Sequence, residues 1–130
     1  MNKKTTDKNI EYVNTVEGQQ LVVGEKRLLG IAGTAKGVWL DPRTPAEFRA
    51  GHIPGAINVP YEDLSEEFKS LKQYDILIVY GNDYNDTVAD AYSKRLIELG
   101  HKDVRTLNGG LRAWKADGNS IETGDGAPAS

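Results

Sequence analysis

Asp75-Ile-Leu-Ile-Val-Tyr-Gly-Asn-Asp-Tyr-Asn-Asp86, followed by Thr87 to Leu99, is the stretch on which the fold turns. Ile76, Leu77, Ile78 and Val79 form an unbroken apolar run, the pattern of a parallel strand covered on both faces. Gly81-Asn-Asp-Tyr-Asn-Asp86 supplies turn-forming residues, and the segment from Thr87 reads as a helix stopped at Gly100. On that helix Val88, Ala91, Tyr92, Leu96 and Leu99 are expected to share one buried stripe. A strand, a tight loop and a helix in this order place backbone N–H groups around the loop, a layout suited to holding an anion.

Upstream, Val38-Trp-Leu-Asp41 reads as a strand ending at Pro42, and Pro45-Ala-Glu-Phe-Arg-Ala50 as a short helix capped by Thr44 and closed by Gly51. Ala56 to Val59 follows as a strand, and Tyr61 to Lys72 as an amphipathic helix carrying Leu64, Phe68 and Leu71. Downstream come a strand over Asp103 to Leu107 and a last helix over Leu111 to Ala116. Strand and helix alternate from Val38 to Ala116, which predicts a three-layer α/β/α domain: a mostly parallel sheet of about five strands with helices on both faces. Before this core, Ile10 to Val16 and Gln19 to Val23 flank Glu17-Gly18 and suggest a hairpin, while Glu25 to Ala32 suggests two helical turns closed by Gly33. The expected division is an N-terminal extension over 1–21, a domain over 22–122 and a disordered tail over 123–130, with disorder setting in after Asn119.

Composition narrows the functions available. The chain has 130 residues and a net charge of -3, which gives no general attraction to nucleic acid or to anionic lipid. It contains no cysteine, so disulfides, thiolate metal sites and every cysteine-based mechanism are excluded. With His52 and His101 as its only histidines, a multi-histidine metal centre is not expected, and no cofactor or metal is called for. No apolar run approaches the roughly 18 residues of a membrane span, and the polar start carries no secretory core, which reads as a cytoplasmic chain.

Two stretches together resemble the rhodanese homology domain, a family that binds or transfers sulfane sulfur. Leu40-Asp-Pro-Arg-Thr-Pro-Ala-Glu-Phe-Arg-Ala-Gly-His-Ile-Pro-Gly-Ala-Ile-Asn-Val-Pro60 is similar to its Asp-x-Arg, Glu-Phe and Gly-His-Ile-Pro-Gly-Ala pattern. Leu107-Asn-Gly-Gly-Leu-Arg-Ala-Trp-Lys-Ala-Asp-Gly118 is similar to its closing Gly-Gly-x-x-x-Trp element. The resemblance implies that Asp41, Arg43, Glu47 and His52 tie the first strand to the loop after it, that Gly55 lets the chain turn, and that Gly109, Gly110 and Trp114 belong to the closing frame. For His52 the alternative is a general base, but a chain with no nucleophile gives it nothing to activate.

The same resemblance implies a cysteine directly after the central strand and a basic residue at the sixth loop position. Gly81 and Asp86 stand at those places, so both the nucleophile and the positive charge are gone. The degenerate loop Gly81, Asn82, Asp83, Tyr84, Asn85, Asp86 and Thr87 then points to a catalytically inactive module for binding, regulation or structure, with a protein or small ligand at residues 81–86. Asp83 and Asp86 would occupy the N–H cradle or repel an oxyanion, and Asp86 or Thr87 would cap the helix. Two other readings remain: altered chemistry using Asp83 and Asp86 as acid and base, with or without a divalent metal, and an inactivated relative of a sulfurtransferase. The loop lacks the spacing of a calcium loop. Tyr84 at its tip is either an anchor for a partner protein or a ring folded over the vacated pocket.

Overall fold

A computed structural model describes residues 10–22 and 37–125. The elements in chain order are β1 (Glu11–Val13), α1 (Thr15–Val22), β2 (Gly37–Asp41), α2 (Pro45–Ala50), β3 (Ile57–Asn58), a 3-10 turn (Tyr61–Asp63) running into α3 (Leu64–Leu71), β4 (Ile76–Val79), α4 (Thr87–Leu99), β5 (Val104–Leu107) and α5 (Gly110–Ala116). The five strands form one sheet in the order β1-β5-β4-β2-β3, and every pairing is parallel. The predicted α/β architecture is therefore present, with β4 at its centre.

Alternation along the strands sends side chains to two cores. Trp39, Ile76, Ile78 and Tyr80 face one layer with Leu21, Phe48, Leu111 and Trp114. Val38, Leu40, Leu77, Val79 and Val104 face the other with Leu64, Phe68, Leu71, Tyr92 and Leu96. Because both faces are covered, all four residues of β4 are buried, which is why its sequence is apolar without a break.

Local chemistry sets the ends of α2 as the sequence predicts. Thr44 Oγ1 accepts the Glu47 N–H at 3.2 Å and Glu47 Oε1 accepts the Thr44 N–H at 3.1 Å, a reciprocal capping box, with Pro45 in the first turn.

The N-terminal hairpin does not form. Asn14 Oδ1 accepts the Glu17 N–H at 2.8 Å and Glu17 Oε1 accepts the Asn14 N–H at 2.9 Å, so the supposed turn at Glu17-Gly18 is the first turn of a helix. β1 instead pairs with β5 at the sheet edge, and α1 is tied to the end of α5 through Gln19 Nε2 donating to Asn119 Oδ1 at 3.0 Å. Residues 11–13 thus add an edge strand to the sheet, and Val13 and Leu21 pack into one of its cores.

The buried face of α4 also differs from the predicted stripe. Ala89, Tyr92, Ser93 and Leu96 are buried, while Val88 and Ala91 are exposed. Ser93 pairs with Thr106 at 2.8 Å, a buried hydroxyl couple that rotates the packed face away from Val88. After α5 the chain is held to the domain as far as residue 125 rather than released at Asn119. Trp114 Nε1 donates to Ser120 O at 2.8 Å, His52 and Glu122 exchange two backbone bonds of 2.9 Å, and Gly124 N donates to Arg49 O. The helix expected over Glu25 to Ala32 and the last five residues of the tail lie outside the described residues. Among the described residues no helix is long and apolar enough to cross a membrane.

Candidate functional site

The carboxyl ends of β2 and β4 lie side by side, and the chain runs outward from them in opposite directions, to β3 on one side and β5 on the other. Open parallel sheets place ligand sites at such a switch point. Here it is spanned by the loop after β4 and by the buried ion pair after β2.

That ion pair is Asp41 with Arg43. Arg43 Nη2 lies 2.8 Å from Asp41 Oδ2 and Nε lies 3.0 Å from Oδ1, the side chains being 7% and 0% exposed. Tyr80 donates its hydroxyl to Asp41 Oδ2, and Arg43 Nη2 donates to Gly51 O at 2.6 Å. Arg43 Nη1 then reaches across to Asn82 Oδ1 at 3.2 Å and ties the first motif to the loop. Burial pulls the Arg43 guanidinium down, but the hydrogen bonds and charge of Asp41 outweigh it and hold the group above its ordinary value. Burial, then the Asp41 charge, pushes the Tyr80 phenol well above its usual range. Sequence reasoning did not find Tyr80 or the Arg43 to Asn82 link. A hydroxyl-bearing ring at the end of an aliphatic strand was the available signal for the former.

The loop from Gly81 to Asp86 is organised around one carboxylate. Asp86 Oδ1 accepts the N–H of Val88 at 2.9 Å and of Ala89 at 3.3 Å, which makes Asp86 the N-cap of α4, and Oδ2 accepts the Asn82 N–H. A Cβ added at Gly81 would overlap that same Oδ2. The carboxylate therefore fills the place toward which any side chain at position 81 would point. Asp83 is not paired with it: Asp83 Oδ1 accepts the Asn85 N–H at 3.1 Å, and Asp83 O accepts the Asp86 N–H. Asn85 and Thr87 are exposed.

Two glycines let α5 close on this loop. Gly109 and Gly110 have φ of 86° and 56°, and a Cβ on Gly110 would run into the carbonyl of Gly81. Leu111 N donates to Gly81 O at 2.8 Å and Arg112 N to Asn82 O at 2.9 Å, so loop carbonyls satisfy the start of α5. The Tyr84 ring lies against Gly109 while the residue stays 61% exposed. Beside the loop is a cleft of about 140 Å³ lined by Tyr12, Asp83, Tyr84, Asp86, Asp90 and Asn108, among others.

The other family-motif residues sit away from Asp86. His52 is buried, stacks on Phe48 at 3.8 Å and has Nδ1 2.7 Å from Phe48 O; its Nε2 makes no hydrogen bond, and Glu122 is 3.7 Å away. Gly55 has φ 85°, and Trp114 packs edge-on against Trp39 at 5.3 Å. Among the described residues no group of three or more histidine, aspartate or glutamate side chains is placed to hold a metal ion.

Comparison with known proteins agrees with this geometry. The family model described as Rhodanese-like domain matches residues 26–117. The chain is 35% identical over 78 residues to the thiosulfate sulfurtransferase GlpE of Pseudoalteromonas translucida, covering 58% of this chain and 70% of that protein. It is 32% identical over 90 residues to the HTH-type transcriptional regulator Rv0324 of Mycobacterium tuberculosis, covering 68% of this chain but only 38% of the regulator. The solution structure of the rhodanese-like domain of the Alr3790 protein from Anabaena sp. superposes with a TM-score of 0.67 at 32% identity, covering 92% of this chain and 85% of that one. A five-stranded parallel sheet, the paired motifs around it and a match over most of the chain lead to one conclusion: this chain belongs to the rhodanese-like domain family, and it contains no cysteine.

Proposed function

We propose that this chain is a rhodanese-like domain that carries out no sulfur transfer and serves as a binding or regulatory module through the surface of the 81–86 loop. One observation carries the reading. The Asp86 carboxylate accepts the N–H groups of Asn82, Val88 and Ala89 and occupies the space beside Gly81. A sulfur carrier needs a thiolate stabilised by N–H groups and positive charge. Here no thiol exists, the N–H groups are already taken, and the charge they hold is negative. An incoming thiosulfate or phosphate ester would meet a carboxylate in place of a nucleophile.

Acid–base chemistry by Asp83 and Asp86 has less support, since each carboxylate accepts backbone N–H groups of the loop or of the start of α4 and the two do not face one another. Alignment with part of a transcriptional regulator supports a regulatory setting for such a module. The test is incubation of pure protein with thiosulfate and cyanide. Thiocyanate at the background rate is expected, and sustained turnover would overturn the proposal.

A further inference from the structure

Five large apolar side chains are exposed among the described residues; two of them line the cleft beside the loop and a third lies on the adjoining turn of α4. Tyr12 and Tyr84, 53% and 61% exposed, line it, and Val88, 47% exposed, sits in the turn of α4 that supplies Asp86, Ala89 and Asp90 to the same cleft. The loop that presents Tyr84 is held at several points, by Leu111 N on Gly81 O, Arg112 N on Asn82 O and Asp86 N on Asp83 O. An aromatic ring displayed on a pinned loop loses little freedom when a partner covers it, and this is the usual profile of an interface anchor.

Charge selects the occupant. Asp83, Asp86 and Asp90 line the cleft with no lysine, arginine or histidine among its walls, and the chain carries no lysine or arginine between Lys72 and Lys94. A bare metal ion does not suit the site, because the carboxylates are turned to separate partners: Asp83 to Asn85 N–H, Asp86 to three N–H groups, and Asp90 Oδ1 to the Tyr12 hydroxyl at 2.9 Å. A guanidinium asks for less strict geometry, since it is planar, lies over tyrosine rings and takes charge from several carboxylates at once. At about 140 Å³ the cleft admits one side-chain head, well short of the roughly 300 Å³ of a small-molecule pocket.

We propose that this surface docks an arginine-bearing segment of a partner protein, the guanidinium entering the cleft and the neighbouring chain crossing Tyr84 and Val88. The inference rests on the reading of the domain as a binding module. It is tested by titrating the isotope-labelled protein with a synthetic peptide of alternating arginine and glycine. Amide shifts confined to Tyr12, residues 83–90 and Asn108 are expected, with affinity falling at least threefold as the Debye length is cut from about 30 Å to about 8 Å by salt. The double variant Asp83→Asn, Tyr84→Ala should weaken binding at least tenfold with an unchanged melting temperature. The proposal is overturned by an absence of shifts, by equal shifts from the glutamate analogue of the peptide, or by full binding in the double variant. It is equally overturned if magnesium or calcium chloride alone reproduces the shifts, or if they appear on concentrating the protein without peptide. A negative titration leaves a background thiocyanate rate standing, and turnover of thiosulfate would be seen whatever the peptide does.

Discussion

Placing a thiol at position 81 should fail for a reason that one further substitution removes. Gly81 does not have a positive φ, so its backbone accepts a side chain, and the obstacle is the Asp86 carboxylate. To admit the Cβ that Gly81→Cys introduces, the Asp86 carboxylate must shift as a unit, because Oδ2 and the carboxyl carbon both stand in its place, and the bond from the Asn82 N–H to Oδ2 is the first to be lost. Losing one hydrogen bond to a charged acceptor costs about 1.5–3 kcal/mol, and that is the destabilisation expected in urea unfolding. Asp86→Ser keeps a capping oxygen for α4 but removes Oδ2 and with it the same Asn82 hydrogen bond, so it should itself cost about 1.5–3 kcal/mol. In that background Gly81→Cys should cost less than about 0.5 kcal/mol, which gives a coupling energy of at least about 1 kcal/mol between the two positions. The thiol should report the same geometry. Beside a carboxylate the thiolate is disfavoured, and removal of that carboxylate should raise the rate of alkylation by iodoacetamide at neutral pH about tenfold or more, the equivalent of one pKa unit. If Gly81→Cys is as stable as the parent, or costs the same in both backgrounds, Asp86 does not hold the place assigned to it.

Two further perturbations address the frame. Asp41→Asn leaves the Arg43 guanidinium without its counter-charge at 7% side-chain exposure, and a loss of about 3–5 kcal/mol is expected in urea unfolding; a loss below about 1 kcal/mol would show that the pair does not organise the switch point. Tyr80 and Tyr92 both have phenols raised above the ordinary value of 10.0, chiefly by burial and then by the Asp41 charge. A folded-state value raised in this way gives stability that is fully present below about pH 10 and is lost as pH climbs beyond it, at up to about 1.4 kcal/mol per pH unit for each group. Tyrosinate absorbance assigned by difference with Tyr80→Phe and Tyr92→Phe should therefore rise only as the near-ultraviolet circular dichroism collapses. Ionisation of either ring with that signal intact would contradict the burial argument.

Legibility of the chain followed the range of the forces involved. The α2 helix was readable because its cap, first-turn proline and closing glycine act within a few residues, as the Thr44 and Glu47 bonds show. β4 was readable because burial on two faces leaves an unbroken apolar run. The hairpin failed on equally local grounds, since Asn14 and Glu17 cap each other and turn an apparent β-turn into a helix start. Val88 and Ala91 were misplaced because periodicity shows that a helix has an apolar face but not how it is rotated on the sheet; the Ser93 to Thr106 couple sets that phase.

At position 81 the division is sharpest. Sequence alone determined that no thiol exists, that a glycine follows the central strand, and that the sixth loop residue is acidic, because these are matters of composition and order. Which carboxylate fills the cradle was decided only in three dimensions. Asp83 and Asp86 are alike in chemistry and three positions apart, but the turn of the loop directs one to Asn85 and the other to Asn82 and the first N–H groups of α4. A side chain selects the donors that the folded backbone brings within about 3 Å, and those donors come from where β4 ends and α4 begins.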